Sequence, residues 1–407
     1  MRKMKAISNW LIAIIVIIFL VAGIVLYFYV KNGFQGNTTT SGSQSNTSSS
    51  NSIDVTKVSA SLILGGSTFI NPQMQAWIQT FSSKYPNIQV TYQSVGSGAG
   101  VNNFIKGTYD VGATDVPMPS QLWRNATNAR GSVITIPDIV GGVAVIYNLP
   151  GFDSTKYGNL NLTADILSGI YLGKIQYWDD PSIKAVNPNY NFPHQRIVPV
   201  HRSDGSGTTF VFTLWLYQSS QQWKSSGVGY GYTINWPVDS MGALAGEGND
   251  GVTAYVKQTP YSIGYVEIQY SIANNLSPAA IKNPSGNFIL PTPSSVSIAL
   301  SSLNISLFPK PTQDWSNLTP LLLNSESPNA YPIVTFSYLV IQENYSDLNK
   351  AIALYVFLNY IFTQGQSQGN VINGYLPLPD NVRQFVLNEI KLITYNGQQV
   401  YKMINQT

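Results

Sequence analysis

The chain has 407 residues, long enough for two packed domains beyond a non-globular start, because a single core rarely grows past about 250 to 300 residues. It has no cysteine, which excludes disulfides, thiolate metal sites and a cysteine nucleophile; its net charge of +3 is too small and too scattered for a nucleic-acid face. Charged residues are only 10% of the chain against a usual ~25%, which fits an acidic exterior and equally a neutral or glycan-coated surface.

The first predicted element is a membrane helix. Arg2, Lys3 and Lys5 precede an uncharged apolar run, 10–30, that Lys31 closes. The run matches the ~20 residues needed to cross a bilayer, and the leading cations place residues 1–9 in the cytoplasm and the rest outside. No A-x-A site follows, so a retained anchor is expected rather than a cleaved signal. Lys5-Ala6-Ile7-Ser8 also resembles the processing signal of archaeal pilin-like precursors. Residues 31–56, rich in Ser, Thr, Asn, Gln and Gly, cannot bury enough apolar surface to order themselves and read as a tether. Sequons such as Asn125-Ala126-Thr127 and Asn317-Leu318-Thr319 fit a glycoprotein outside the cell.

Short β-branched runs then alternate with amphipathic segments. The strands expected are Ser61 to Leu64, Ile88 to Tyr92, Val133 to Ile136, Val143 to Tyr147 and Ile197 to Val200. Met74, Trp77, Phe81 and Tyr85 fall on one helical face between the first two. Such alternation predicts an α/β architecture. The apolar segment 351–362 is too short to span a bilayer and reads as a core helix.

Three turns lead from a strand, through Gly, Ser and Thr, into a predicted helix: Gly65 to Phe69, Gly96 to Gly100 and Asp204 to Thr209. Each is an ordinary turn or N-cap and also a candidate anion site, where backbone N–H groups, hydroxyl donors and the helix dipole converge. None is a nucleotide P-loop, since Gly207 is followed by Thr208 and Thr209 rather than Lys. His201, Asp204 and Ser206 crowd into six residues, too close in sequence to align as a catalytic triad. Arg202 is the strong cation beside these turns; its fork suits a tetrahedral oxyanion, and Asp204 can hold it, unless the two form only a surface pair.

With these motifs on view, the chain resembles the surface phosphate-binding proteins of ABC-type importers, the PstS family. The likeness runs from about Ser61 to Asp380. Gly66-Ser67-Thr68-Phe69 and Tyr92 to Gly98 resemble the family's first two phosphate loops, Asp110 to Pro117 its acidic loop, and His201 to Phe210 its long signature. Val140 to Val143, Leu172 to Ile175, Ile263 to Glu267 and Leu376 to Pro379 match further family segments, whereas Thr114 stands where the family usually has Ser.

The resemblance implies phosphate ligands at Thr68, Phe69 (through its backbone N–H), Ser97, Asp115, Arg202, Ser206, Gly207 and Thr208, with Asp204 orienting Arg202. It also implies a periplasmic-binding-protein-like (type II) fold with two crossing strands, lobe one at 57–139 plus 293–407 and lobe two at 140–292, the Gly141-Gly142 pair lying near a hinge. The expected protein is a monomeric receptor with no catalytic residue, cofactor or metal, delivering inorganic phosphate to the permease subunits of an ABC importer. Sulfate, molybdate or tungstate are alternative ligands, and adhesion on the same scaffold an alternative role.

Overall fold

The computed structural model describes residues 52–301 and 303–405. Among them no helix is long and apolar enough to cross a membrane; the expected membrane helix lies outside the described residues. The last residues of the expected tether, 52–56, are among those described and pack against the folded part. Ile53 donates its N–H to Met403 O at 2.7 Å, and Asp54 caps a short turn, Val55–Lys57, whose Val55 is buried.

The eight strands of the main sheet are β1 (Ala60–Gly66), β2 (Ile88–Ser94), β3 (Val111–Thr114), β4 (Val133–Asn148), β5 (Val198–Arg202), β6 (Leu244–Gly246), β7 (Ser262–Glu267) and β8 (Val334–Gln342). Five helices matter most for the site or core: α1 (Asn71–Lys84), α2 (Ser97–Ile105), α3 (Gly207–Ser219), α4 (Gly248–Gln258) and α5 (Leu348–Phe362). Met74, Trp77 and Phe81 of α1 are buried as their spacing predicts, and Phe81 meets Phe357 of α5 edge-on at 4.9 Å. The segment read as a core helix is therefore one.

Sheet order is β2-β1-β3-β8-β4-β7-β5-β6. β1 runs parallel to β2 and β3, and β5 parallel to β6 and β7, while β8 is antiparallel to β3 and β4 and β7 is antiparallel to β4. The two parallel groups thus point in opposite directions. β4 pairs with β8 over residues 133–142 and with β7 over 143–148, so the groups are displaced along it. Opposite direction plus displacement turns the carboxyl ends of β1, β2 and β3 toward those of β5 and β6, and ligands of α/β sheets bind outside such ends.

One expectation needs correction. The runs Val133 to Ile136 and Val143 to Tyr147 are not separate strands but parts of the 16-residue β4. Pro137, which lacks an N–H, sits at an irregularity of the ladder: Ser337 faces Ile139 and Tyr338 faces Pro137, leaving Asp138 unpaired as a bulge. Gly141 and Gly142 stay within the strand because neighbours crowd it. A Cβ on Gly141 would lie 2.6 Å from the Phe69 ring, and one on Gly142 2.9 Å from Ile268.

Candidate anion site

Each of the three Gly, Ser and Thr turns leaves a strand end and enters a helix, and the strand order brings all three together. The first follows β1. Gly66 has φ +136°, and a Cβ there would lie 2.1 Å from Ala113 O, so only glycine lets β1 approach β3 this closely. Ser67 N–H donates to Ala113 O at 2.9 Å, and its hydroxyl donates to Asp115. The second turn enters α2 at Ser97, whose hydroxyl lies 3.4 Å from Asp115 Oδ2 and accepts the Asp115 N–H at 3.3 Å. The third enters α3. Ser206 is its N-cap, accepting the Thr209 N–H at 3.1 Å, which leaves its own hydroxyl hydrogen free to donate elsewhere.

Arg202 closes β5. Its Nε and Nη2 donate to the two oxygens of Asp204 at 2.7 and 2.5 Å, so the expected clamp is formed, and the Arg202 side chain is 1% exposed. The guanidinium is buried and the carboxylate mostly so, which makes this no surface pair. Nη1 is left facing Thr208 Oγ1 at 3.5 Å, and Thr208 in turn reaches Asp115 Oδ2 at 3.4 Å. Gly207 fills the gap between them: a Cβ there would stand 2.5 Å from Ser97 Oγ and 2.7 Å from Asp115 Oδ2. Of the sequence-derived set, Ser97, Asp115, Arg202, Gly207 and Thr208 form one connected cluster. Thr68 joins it through Asn249. The Phe69 N–H, expected as a free donor, is bonded to Ser67 Oγ at 3.0 Å.

Sequence reasoning missed Asn249. At the start of α4 it donates N–H and Nδ2 to Thr68 Oγ1 at 3.1 and 2.9 Å, and Nδ2 also faces Thr208 Oγ1 at 3.4 Å. Its Oδ1 accepts the Glu267 N–H at 3.1 Å. A hydroxyl that accepts from Asn249 keeps its own proton to give, so Asn249 turns Thr68 and Thr208 into donors. A signal was present: Gly246-Glu247-Gly248-Asn249 is a fourth glycine turn from a strand into a helix. Ser67 was overlooked beside Thr68, and Tyr232, whose hydroxyl meets Thr114 Oγ1 at 2.9 Å, had no local signal.

The charges decide what the cluster can hold. Burial pushes the Asp115 carboxyl up to about 6, against the pull of the Ser67 hydroxyl, the Arg202 charge and the Ser97 and Thr208 hydroxyls. Burial also acts to raise Asp204, but there the Arg202 hydrogen bonds and charge, with the Gly248 N–H, prevail and hold it below the usual carboxylate range. With Asp204 neutralising Arg202, attraction for an anion comes from hydroxyls and the amino ends of α2 and α3. An anion beside Asp115 must share a proton with it. His201 takes no part: its Nε2 pairs with Asp239 at 2.6 Å, its Nδ1 with Arg202 O at 3.0 Å, and its ring stacks on Trp236. A surface cavity of about 440 Å³ beside Val140, Leu376 and Asp380 contains none of these donors.

Residues 38–364 match the model of the PBP superfamily domain. The chain is 39% identical to the phosphate-binding protein PstS of Methanocaldococcus jannaschii, over 81% of this chain and 85% of that protein. It is 35% identical to the protein of the same name from Xylella fastidiosa, over 78% of this chain and 81% of that one. The fold is similar to that of a high-affinity periplasmic phosphate-binding protein solved with phosphate, with a TM-score of 0.65 and 20% identity over 86% of this chain and 100% of that one. Matches of this length and identity leave one assignment: the chain belongs to the PstS family of phosphate-binding proteins, within the PBP superfamily.

Proposed function

We propose that the protein is an extracellular receptor that binds inorganic phosphate and delivers it to an ABC-type importer. The observation that carries this reading is Asp115, a buried acceptor among the hydroxyls of Ser67, Ser97 and Thr208 and within the field of Arg202. A phosphate retaining a proton can give it to Asp115, whereas sulfate has none to give near neutral pH, and a site built around a ligand hydroxyl rejects an analogue lacking it by ~10⁴ to 10⁵. Thr68, the Phe69 N–H, Ser97, Asp115, Arg202, Ser206, Gly207 and Thr208 are the proposed ligands, Phe69 requiring the Ser67 hydroxyl to release its N–H.

Two lobes, 57–139 plus 293–407 and 140–292, are proposed to close over the anion. The contacts Gly98 N–H to Gly205 O at 2.8 Å, Thr114 to Tyr232 and Thr68 to Asn249 each join one proposed lobe to the other and support this division. The receptor is proposed to act without catalysis, as a monomeric glycoprotein held at the cell surface by the 10–30 helix. Calorimetric titration of the full chain with phosphate, arsenate, sulfate and molybdate tests ligand and class together. Tight phosphate binding with sulfate excluded at neutral pH supports the reading; sulfate or molybdate bound more tightly than phosphate, or no oxyanion bound at all, overturns it.

A further inference from the structure

β4 carries an acidic residue in its interior. Asp138 occupies the bulge and is fully buried, and neither carboxyl oxygen makes a well-formed hydrogen bond among the described residues; its nearest donors are the Ser337 hydroxyl and the backbone N–H groups of the bulge. The Ser337 and Tyr338 hydroxyls opposite it on β8 are also unpartnered. The titratable groups seen to act on Asp138 most strongly are acids: Asp115, Tyr92 and Tyr338.

Asp138 lies close behind the anion site. Thr335, two residues before Ser337 and on the same face of β8, donates its hydroxyl to Asp115 O at 2.9 Å. Tyr92 donates to Ser67 O at 2.6 Å, and Ser67 bonds Asp115. An ionised carboxylate at Asp138 would be buried with no cation beside it and only the Ser337 hydroxyl and bulge N–H groups to steady it, next to a second carboxylate and the anion site. Each of these circumstances disfavours the charge, by several kcal/mol for the burial of an unpaired ion alone. Burial, opposed by the Ser337 hydroxyl and the bulge N–H groups but reinforced by the Asp115 charge, pushes Asp138 up to about 8, so the two carboxyls titrate apart.

We propose that Asp138 sets the alkaline limit of ligand binding: as a neutral acid it leaves Asp115 the one carboxylate facing the anion, and its ionisation drives the ligand out. The inference rests on the phosphate reading above and adds to it a residue outside the ligand set. The acid form binds and the ionised form does not, so apparent affinity follows the neutral fraction.

The test is phosphate calorimetry on the full chain and on Asp138→Asn between pH 5 and 9.5. Between pH 7 and pH 9 the wild-type affinity should fall about tenfold more than that of the variant, because only the neutral fraction binds. Comparing each protein with the other at the same pH cancels the titration of phosphate itself. At pH 9, titrations in two buffers of different ionisation enthalpy should show the wild type taking up about one proton more than the variant on binding, as linkage requires. Parallel pH profiles, or equal proton uptake, overturn the proposal. Should Asp138→Asn fail to fold, Asp138→Ser, which is smaller and equally uncharged, takes its place in the same comparison: a shallower pH profile and lower proton uptake than the wild type at pH 9 support the proposal, and equality in both overturns it. A wild type that binds no phosphate at any pH overturns the receptor reading first, and this inference with it.

Discussion

The turn after β3 and the turn after β5 each carry a shielded aspartate close to the strand end, and the two behave in opposite ways. Asp204 lies two residues from Arg202 and is gripped through both oxygens, so its charge is fixed and its carboxyl is held low. Asp115 sees the same guanidinium only at a distance, takes its contacts from hydroxyls, and is raised to about 6. A clamped carboxylate serves as a rigid support for a cation. A carboxyl bonded by hydroxyls alone stays responsive to whatever proton is brought to it, and that difference divides the site into an orienting side and a discriminating side.

Exchanging the discriminating carboxylate gives the largest expected effect. Asp115→Asn replaces an acceptor that repels a fully ionised anion with an amide that can donate, so most of a ~10⁴-fold preference for phosphate over sulfate should disappear at neutral pH. The sign with pH follows from the raised carboxyl: wild-type discrimination is full above about 6 and shrinks as pH falls through that value, because Asp115 then carries its own proton. Competitive titration of phosphate and sulfate at neutral and acid pH checks both statements. Continued exclusion of sulfate by the neutral-pH variant would mean that Asp115 is not the discriminator.

On the orienting side, Arg202→Ala should weaken phosphate binding by about 3 kcal/mol or more, since truncating one member of a buried charged pair costs ~2 to 5 kcal/mol and here strands Asp204. Arg202→Lys restores the charge without the fork and should recover only part of the loss. Wild-type affinity in either variant would place Arg202 outside the site. Between the two sides, Gly207→Ala puts a methyl against Ser97 and Asp115, and overpacking of this kind costs about 1 to 3 kcal/mol, read from urea unfolding. Unchanged stability together with unchanged phosphate affinity would mean that the two sides do not meet this tightly. The smallest effect is expected at Asn249→Ala, which removes a neutral donor from Thr68 and Thr208 and should lower phosphate affinity by about 1 kcal/mol, measured by calorimetry.

The sequence by itself determined the local elements and the chemistry of the turns. Met74, Trp77 and Phe81 repeat at helical spacing, so α1 was legible, and a glycine turn into a helix start is written in consecutive residues at 65–69, 96–100 and 204–209. The resemblance to phosphate-binding proteins added Asp115 and Phe69, which no local pattern singles out. Only the tertiary structure decided that β4 runs unbroken through Gly141 and Gly142, because the contacts that make those glycines necessary come from Phe69 and Ile268, distant in the chain. It decided likewise that Asn249 bridges Thr68 and Thr208, that Asp138 is buried beside Ser337, and that Asp115 is raised while Asp204 is lowered. Periodicity and turn chemistry are short-range and can be read along the chain. Burial and the identity of a carboxylate's neighbours depend on strand order and register, which join residues far apart in sequence, and those set the electrostatics on which an anion site depends.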